Sequence, residues 1–130
     1  MLVDPMPGEA DRNTIRAATH QLSPRFHYAR RMNCRIIFVD VDDTLVRSVG
    51  QKRIPMPGAV AAVQSLHEQG NTLYLWSSGG ADYARASARE LNLEHCFVAF
   101  LPKPHVYIDD QPVEEWRFCK HVLPANASDA

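Results

Sequence analysis

Apolar residues cluster in short runs along this chain, and most of the runs end in polar or charged residues. Ile36 to Val39 is an unbroken β-branched and aromatic run, and residues 35–40 are expected to form a strand buried on both faces. The loop from Val46 to Gly58 is polar and punctuated by Gly50, Pro55 and Pro57. A helix is expected from about Gly58, with Val60, Val63 and Leu66 on one face and Gly70 as its terminator. Thr72 to Trp76 reads as the second strand. Gly79 and Gly80 then open a turn, and Asp82 caps a helix running to about Leu91. Phe97 to Leu101 and Val106 to Ile108 are the expected third and fourth strands. Gln111 onward, through Glu114, Glu115, Trp116, Phe118 and Val122, is the expected final helix, ending at Pro124.

Strands alternating with helices at this spacing imply right-handed βαβ units. The expected fold class is α/β: a doubly wound, three-layer, Rossmann-like parallel sheet with helices on both faces. The chain has 130 residues, enough for a single small domain. The expected division is an arginine-rich extension over 1–31, a folded domain over 32–124 and a tail over 125–130. Residues 1–11 hold Pro5, Pro7 and Gly8 and few core formers, and 12–22 suit a short helix with Ile15, Ala18 and Leu22 on one side, stopped by Pro24.

Composition adds little except in one place. Hydrophobic residues make up 45% and charged residues 22%, an ordinary balance for a soluble globular chain. No stretch is long and apolar enough for a membrane helix, and nothing near the start resembles a secretory signal. Cys34, Cys96 and Cys119 form no CxxC pair, so neither a disulfide framework nor a zinc site is indicated, and a reducing, cytoplasmic location is expected. The net charge is -1. It hides Arg12, Arg16, Arg25, Arg30, Arg31 and Arg35 in a run that contains no acid. That run can be a nucleic-acid arm, a transit peptide, which Asp4, Glu9 and Asp11 argue against, or a loosely attached extension or solvated helix.

The chemistry lies at the strand ends. Asp40, Asp42 and Asp43 place three carboxylates within four residues directly after an apolar strand. Like charges packed this tightly raise one another's pKa, an arrangement that makes sense if a cation sits there. In open α/β sheets the carboxyl ends of the strands are where ligands bind.

Asp40-Val41-Asp42-Asp43-Thr44 resembles the DxDxT signature of the haloacid dehalogenase superfamily, whose members are mostly phosphatases. Ser77, closing Leu73-Tyr74-Leu75-Trp76, matches the second motif of that superfamily. Asp109 and Asp110, after Val106-Tyr107-Ile108, match its acidic fourth motif. Lys103 is the candidate for its lysine, with Lys52 as a substitute, because Lys103 lies only six positions before Asp109.

The resemblance spans residues 35 to about 122 and implies a Mg2+-dependent phosphomonoester hydrolase working through an aspartyl-phosphate. In that scheme Asp40 is the nucleophile and Asp42 the general acid and base. Ser77 and Lys103 stabilise the transferring group, with Thr44, Ser78 and Gly79 near the substrate. Asp40 and Asp109 bind the Mg2+ directly in that scheme, with the backbone carbonyl of Asp42, while Asp110 holds a water or the lysine; Mg2+ is a hard cation suited to oxygen donors. The intervals between motifs leave no room for a cap domain, so the site should be open to small or macromolecular phosphorylated substrates, or be covered by a homo-oligomeric partner.

Two other readings stay open. One is a phosphatase of nucleic-acid or polysaccharide-linked ends docked by the arginines; the other is a catalytically idle binding module of the same fold. Of the histidines, His105 precedes the acidic strand and can border the site or simply lie on the surface; His67 lies on a helix and is uninformative.

Overall fold

A computed structural model describes residues 34–130. The expected helix over 12–22 and the arginines from Arg12 to Arg31 lie outside the described residues. Strand β1 spans Ile36–Asp40, β2 Val46–Val49 and β3 Lys52–Pro55. Helix α1 spans Pro57–Glu68, β4 Thr72–Ser77, α2 Ala81–Glu90 and β5 Phe97–Pro102. Strands β1, β4 and β5 form a three-stranded parallel sheet in that spatial order, with Asp40 opposite Trp76 and Ser77 opposite Pro102. The chain is therefore a small α/β fold.

The local reasons are visible in each element. Pro57 opens α1, where its missing N–H costs nothing. Ala59, Ala62, Val63 and Leu66 recur at helical spacing and are all buried. The helix ends at Gly70, whose φ of 90° lies in the left-handed region. The Gly70 N–H donates to the His67 carbonyl at 3.0 Å and the Asn71 N–H to that of Leu66 at 3.2 Å. This is the six-to-one and five-to-two pairing that satisfies the last carbonyls of a helix. Asn71 then ties the chain back to the sheet, since its side chain accepts from the Arg35 N–H at 3.0 Å.

Leu73 and Leu75 of β4 are fully buried and pack with Val41, Leu45, Val63, Leu66, Ala84, Ala88 and Leu93. The opposite face of the sheet is different. Ile36 is 72% exposed and Phe38 44% exposed, so β1 is half-buried on its inner side and exposed on the other, and the expectation of burial on both sides does not hold. Phe38 stacks on Tyr74 at 5.0 Å and meets Trp76 edge-on at 4.9 Å.

Four other expectations are corrected. The polar loop after Leu45 is an antiparallel hairpin, β2 with β3, turning at Gly50 with φ of 61°. Asp82 does not cap α2; Gly80 holds that position and Asp82 lies in the first turn. Val106–Ile108 is not a strand: Ile108 is 98% exposed, and a run of three apolar residues buries little without a neighbouring strand. The final helix is reduced to a single 3-10 turn, Val113–Glu115. Its apolar positions share no single helical face: at 3.6 residues per turn Val113 and Trp116 fall on one side and Phe118 and Val122 on the other. A second 3-10 segment, Pro124–Asp129, lies against α1.

Candidate anion and cation site at the carboxyl rim of the sheet

Asp40 is the last residue of β1, and parallel pairing carries the ends of β4 and β5 to the same rim. One carboxylate oxygen of Asp40 lies 3.3 Å from the Lys103 ammonium, and the other accepts from the Thr44 hydroxyl at 3.4 Å. Both members of the ion pair are partly exposed. Lys103 reaches this position because its N–H donates to the Ser77 carbonyl at 2.9 Å, which extends the β4–β5 ladder by one residue. Its ammonium also stands 5.8 Å from the centre of the Trp76 ring.

The turn after Asp40 is held by Val41, whose carbonyl accepts from Leu45 and Val46. Asp43 takes a φ of 60°, a region where Asp is tolerated better than most residues. The turn leaves Asp42 exposed at the rim, where its carboxylate accepts from the Tyr83 hydroxyl at 2.7 Å.

Ser77 is buried, and its hydroxyl accepts from the Gly79 N–H at 3.0 Å. A side chain at Gly79 would meet the Tyr83 ring at 2.9 Å, and Gly80 has a φ of 102°. Glycine at both positions lets the backbone turn tightly into α2. Gly80 supplies no side-chain cap, so the first N–H groups of α2 are left without an intrahelical or capping partner beside Ser78 and Gly79. That positive helix end, together with Lys103, makes this side of the rim attractive to an anion.

Lys52, the alternative lysine, lies in β3 on the hairpin, whereas Lys103 is the one paired with Asp40. Asp109 and Asp110 are exposed, and Asp109 accepts from the N–H of Gln111 at 2.9 Å. Among the described residues, Asp40, Asp42, Asp109 and Asp110 form no group of three or more whose donor atoms all lie within 4.8 Å of one another. His105 is exposed near Lys103 in sequence and makes no described ion pair.

Two residues were missed by sequence reasoning. Arg53 of β3 donates to the Tyr83 hydroxyl, and at 2.9 Å to the Ser87 hydroxyl, with Glu90 at 3.4 Å. Arg53, Tyr83 and Asp42 thus form a chain of hydrogen bonds from the hairpin through α2 to the rim. Burial and the bond to Asp42 hold the Tyr83 phenol above its ordinary pKa. Burial lowers the pKa of Arg53, but its bond to Tyr83 and the nearby acids outweigh that and leave it raised. The sequence signal was the tyrosine at the third position of a helix that follows a double-glycine turn.

A family model described as "Protein of unknown function (DUF705)" matches residues 11–122. The chain belongs to this family. The match begins at residue 11, so the arginine run falls within the family's own region. An "Uncharacterized 38.0 kDa protein in P143-LEF5 intergenic region" of Autographa californica nuclear polyhedrosis virus is 37% identical over 62 residues. Those residues are 48% of this chain and 19% of the viral protein, so the match spans about a fifth of that relative. No solved structure matches the chain.

These findings correct the resemblance to the haloacid dehalogenase superfamily. The matching family is a different one of unknown function, and the viral relative is uncharacterized. Phosphomonoester hydrolysis through an aspartyl-phosphate rested on that resemblance and falls with it. So do the two alternatives, the phosphatase of nucleic-acid or polysaccharide-linked ends and the idle module of that fold. Among the described residues, no helix is long and apolar enough to cross a membrane.

Proposed function

We propose that the carboxyl rim binds a phosphorylated ligand together with Mg2+. The observation that carries this reading is the Lys103–Asp40 pair at 3.3 Å, set beside the open amino end of α2. The rim thus combines an ammonium, a helix end without a side-chain cap and the carboxylates of Asp40 and Asp42. The donors suit the metal: Asp40 and Asp42 offer hard oxygen atoms, and Asp40 is partly exposed at the strand end. Mg2+ retains several waters and commonly bridges one or two carboxylates to a phosphate, so two protein carboxylates are sufficient. Lys103, the Ser77–Gly80 turn and the first turn of α2 would hold the phosphate, while the Tyr83–Asp42 bond would fix the second carboxylate. Thr44 would hold Asp40 in place.

The finer fold reading, a doubly wound sheet with helices on both faces, belongs to the same proposal. It is supported by the apolar outer face of Phe38, Tyr74 and Trp76, which suits a second packed layer.

The test is calorimetric titration of the full chain with Mg2+, with inorganic phosphate, and with phosphate in the presence of Mg2+. Mg2+ should bind and strengthen phosphate binding. Asp40→Asn should weaken the metal, and Lys103→Ala should weaken phosphate by about tenfold or more, the worth of a charge-assisted contact. Unchanged binding in both variants would overturn the proposal, as would phosphate binding indifferent to Mg2+.

A further inference from the structure

The other end of the sheet carries a second group of chemistry-bearing side chains, unrelated to the rim. His67 lies in the last turn of α1, while His95 and Cys96 lie on the 3-10 turn Glu94–Cys96 that leads into β5. The parallel sheet brings them together. Helix α1 delivers the chain to the start of β4, and Leu73 near that start pairs with Phe97, the first residue of β5. The two imidazole rings meet edge-on with centres 5.6 Å apart. The Cys96 sulfur lies 3.6 Å from Nε2 of His95. One donor atom from each of the three residues falls within 4.8 Å of the others.

We infer that His67, His95 and Cys96 form a Zn2+ site that clips the end of α1 to the start of β5. Tetrahedral zinc with nitrogen at about 2.0–2.1 Å and sulfur at about 2.3 Å requires neighbouring donors roughly 3.3–3.6 Å apart. The His95–Cys96 pair already meets that spacing. No separation in the group exceeds 4.8 Å, at most about 1.5 Å beyond that spacing, and His95 is an exposed side chain that can turn to close it.

The donor set is selective. Two imidazoles and a thiolate are too soft for Mg2+ and suit zinc, so the two ends of the sheet would not compete for one ion. Burial is graded across the group: Cys96 is 2% exposed, His67 half-buried and His95 exposed. The sulfur therefore anchors the ion from the core while the histidines keep the site open to solvent. Three protein donors leave the fourth position to water. Core and solvent meet at this point, and Leu93 and Phe97 beside the turn belong to the hydrophobic cluster.

The experiment uses the full chain stripped with a chelator and titrated with Co2+ as a spectroscopic stand-in, then with Zn2+. The expected result is tetrahedral visible absorption with a thiolate-to-cobalt charge-transfer band, both displaced by Zn2+. Cys96→Ala should remove the charge-transfer band, and Cys119→Ser should leave it unchanged. His95→Ala, at an exposed position, should keep the fold and lower Zn2+ affinity by about a hundredfold, since even partners outside the ligand shell are worth 10–100-fold. Zn2+ should raise the melting temperature of the parent protein but not of His95→Ala. A parent protein with no tetrahedral cobalt spectrum would overturn the inference. So would a band that survives Cys96→Ala, or full Zn2+ affinity in His95→Ala.

Discussion

The two faces of the sheet are built from different kinds of apolar residue. On the inner face Ile37, Val39, Leu73 and Leu75 are aliphatic, interlock with α1 and α2, and the two leucines of β4 are fully buried. On the outer face Phe38, Tyr74 and Trp76 are aromatic and cover one another, edge and face, while remaining partly in water. Aliphatic side chains gain by removing area from water against a partner layer. Aromatic rings gain something from each other even at a half-open surface, about 0.5–1.5 kcal/mol a pair beyond area. The outer face also leads directly to the site, because Asp40 follows Phe38 on that face and Lys103 stands by Trp76.

The largest expected effect tests that division. Leu75→Ala should destabilise the protein by about 2–5 kcal/mol, the cost of lost burial plus a cavity in a packed core. Phe38→Ala should cost clearly less despite the larger side chain, because Phe38 is already 44% exposed. Urea denaturation of the two variants decides it. Equal losses would mean that the outer face is covered in solution by the second layer that a doubly wound sheet requires, and the contrast between the faces would break.

The next effect concerns the turn that joins the inner face to the rim. Gly80→Ala places a side chain at a φ of 102° and should cost about 1–3 kcal/mol. Gly58→Ala is the control, since its added carbon meets nothing within 4 Å and its φ is unremarkable. That change in the first turn of α1 should be neutral or stabilising by up to about 1 kcal/mol. Thermal melts of the pair separate backbone strain from helix propensity.

The distinction between the faces was partly legible in the sequence. The strands β1, β4 and β5 and the terminator Gly70 were all readable, because period, β-branching and a lone glycine after Leu66 and His67 are local signals. In β4 the alternation is of kind rather than polarity: Leu73 and Leu75 against Tyr74 and Trp76. A reading that scores all four as hydrophobic infers burial on both faces and misses the aromatic side. The hairpin was missed because its strands are only four residues each, and Arg47, Ser48, Lys52 and Arg53 make them look like a solvated loop.

Asp40 was legible from the end of its strand, whereas Lys103 was offered only through the superfamily resemblance, with Lys52 as a substitute. Arg53 and Tyr83 were not legible, because their bond joins positions 30 residues apart, and no local pattern encodes it. The grouping of His67 with His95 and Cys96 was hidden for the same reason. It depends on the pairing of β4 with β5, which sequence spacing does not reveal.

The smallest effects should separate the two sides of the site itself. Tyr83→Phe removes the hydroxyl that donates to Asp42 and accepts from Arg53, at a cost of about 0.5–1.5 kcal/mol. Lys103→Met breaks an ion pair whose members are 36% and 28% exposed, so solvent screening holds its worth to roughly 0–1 kcal/mol. Ligand binding should rank them the other way. Lys103→Met removes the cation that faces the phosphate and should abolish most of that binding. Tyr83→Phe leaves both carboxylates and the lysine in place and should weaken Mg2+ only a few-fold, through a less firmly held Asp42. Urea melts read the first ranking and titration with Mg2+ and inorganic phosphate reads the second. If Lys103→Met instead lost stability while keeping its phosphate affinity, the pair would be a structural tie across the outer face, and the rim would not be the binding site.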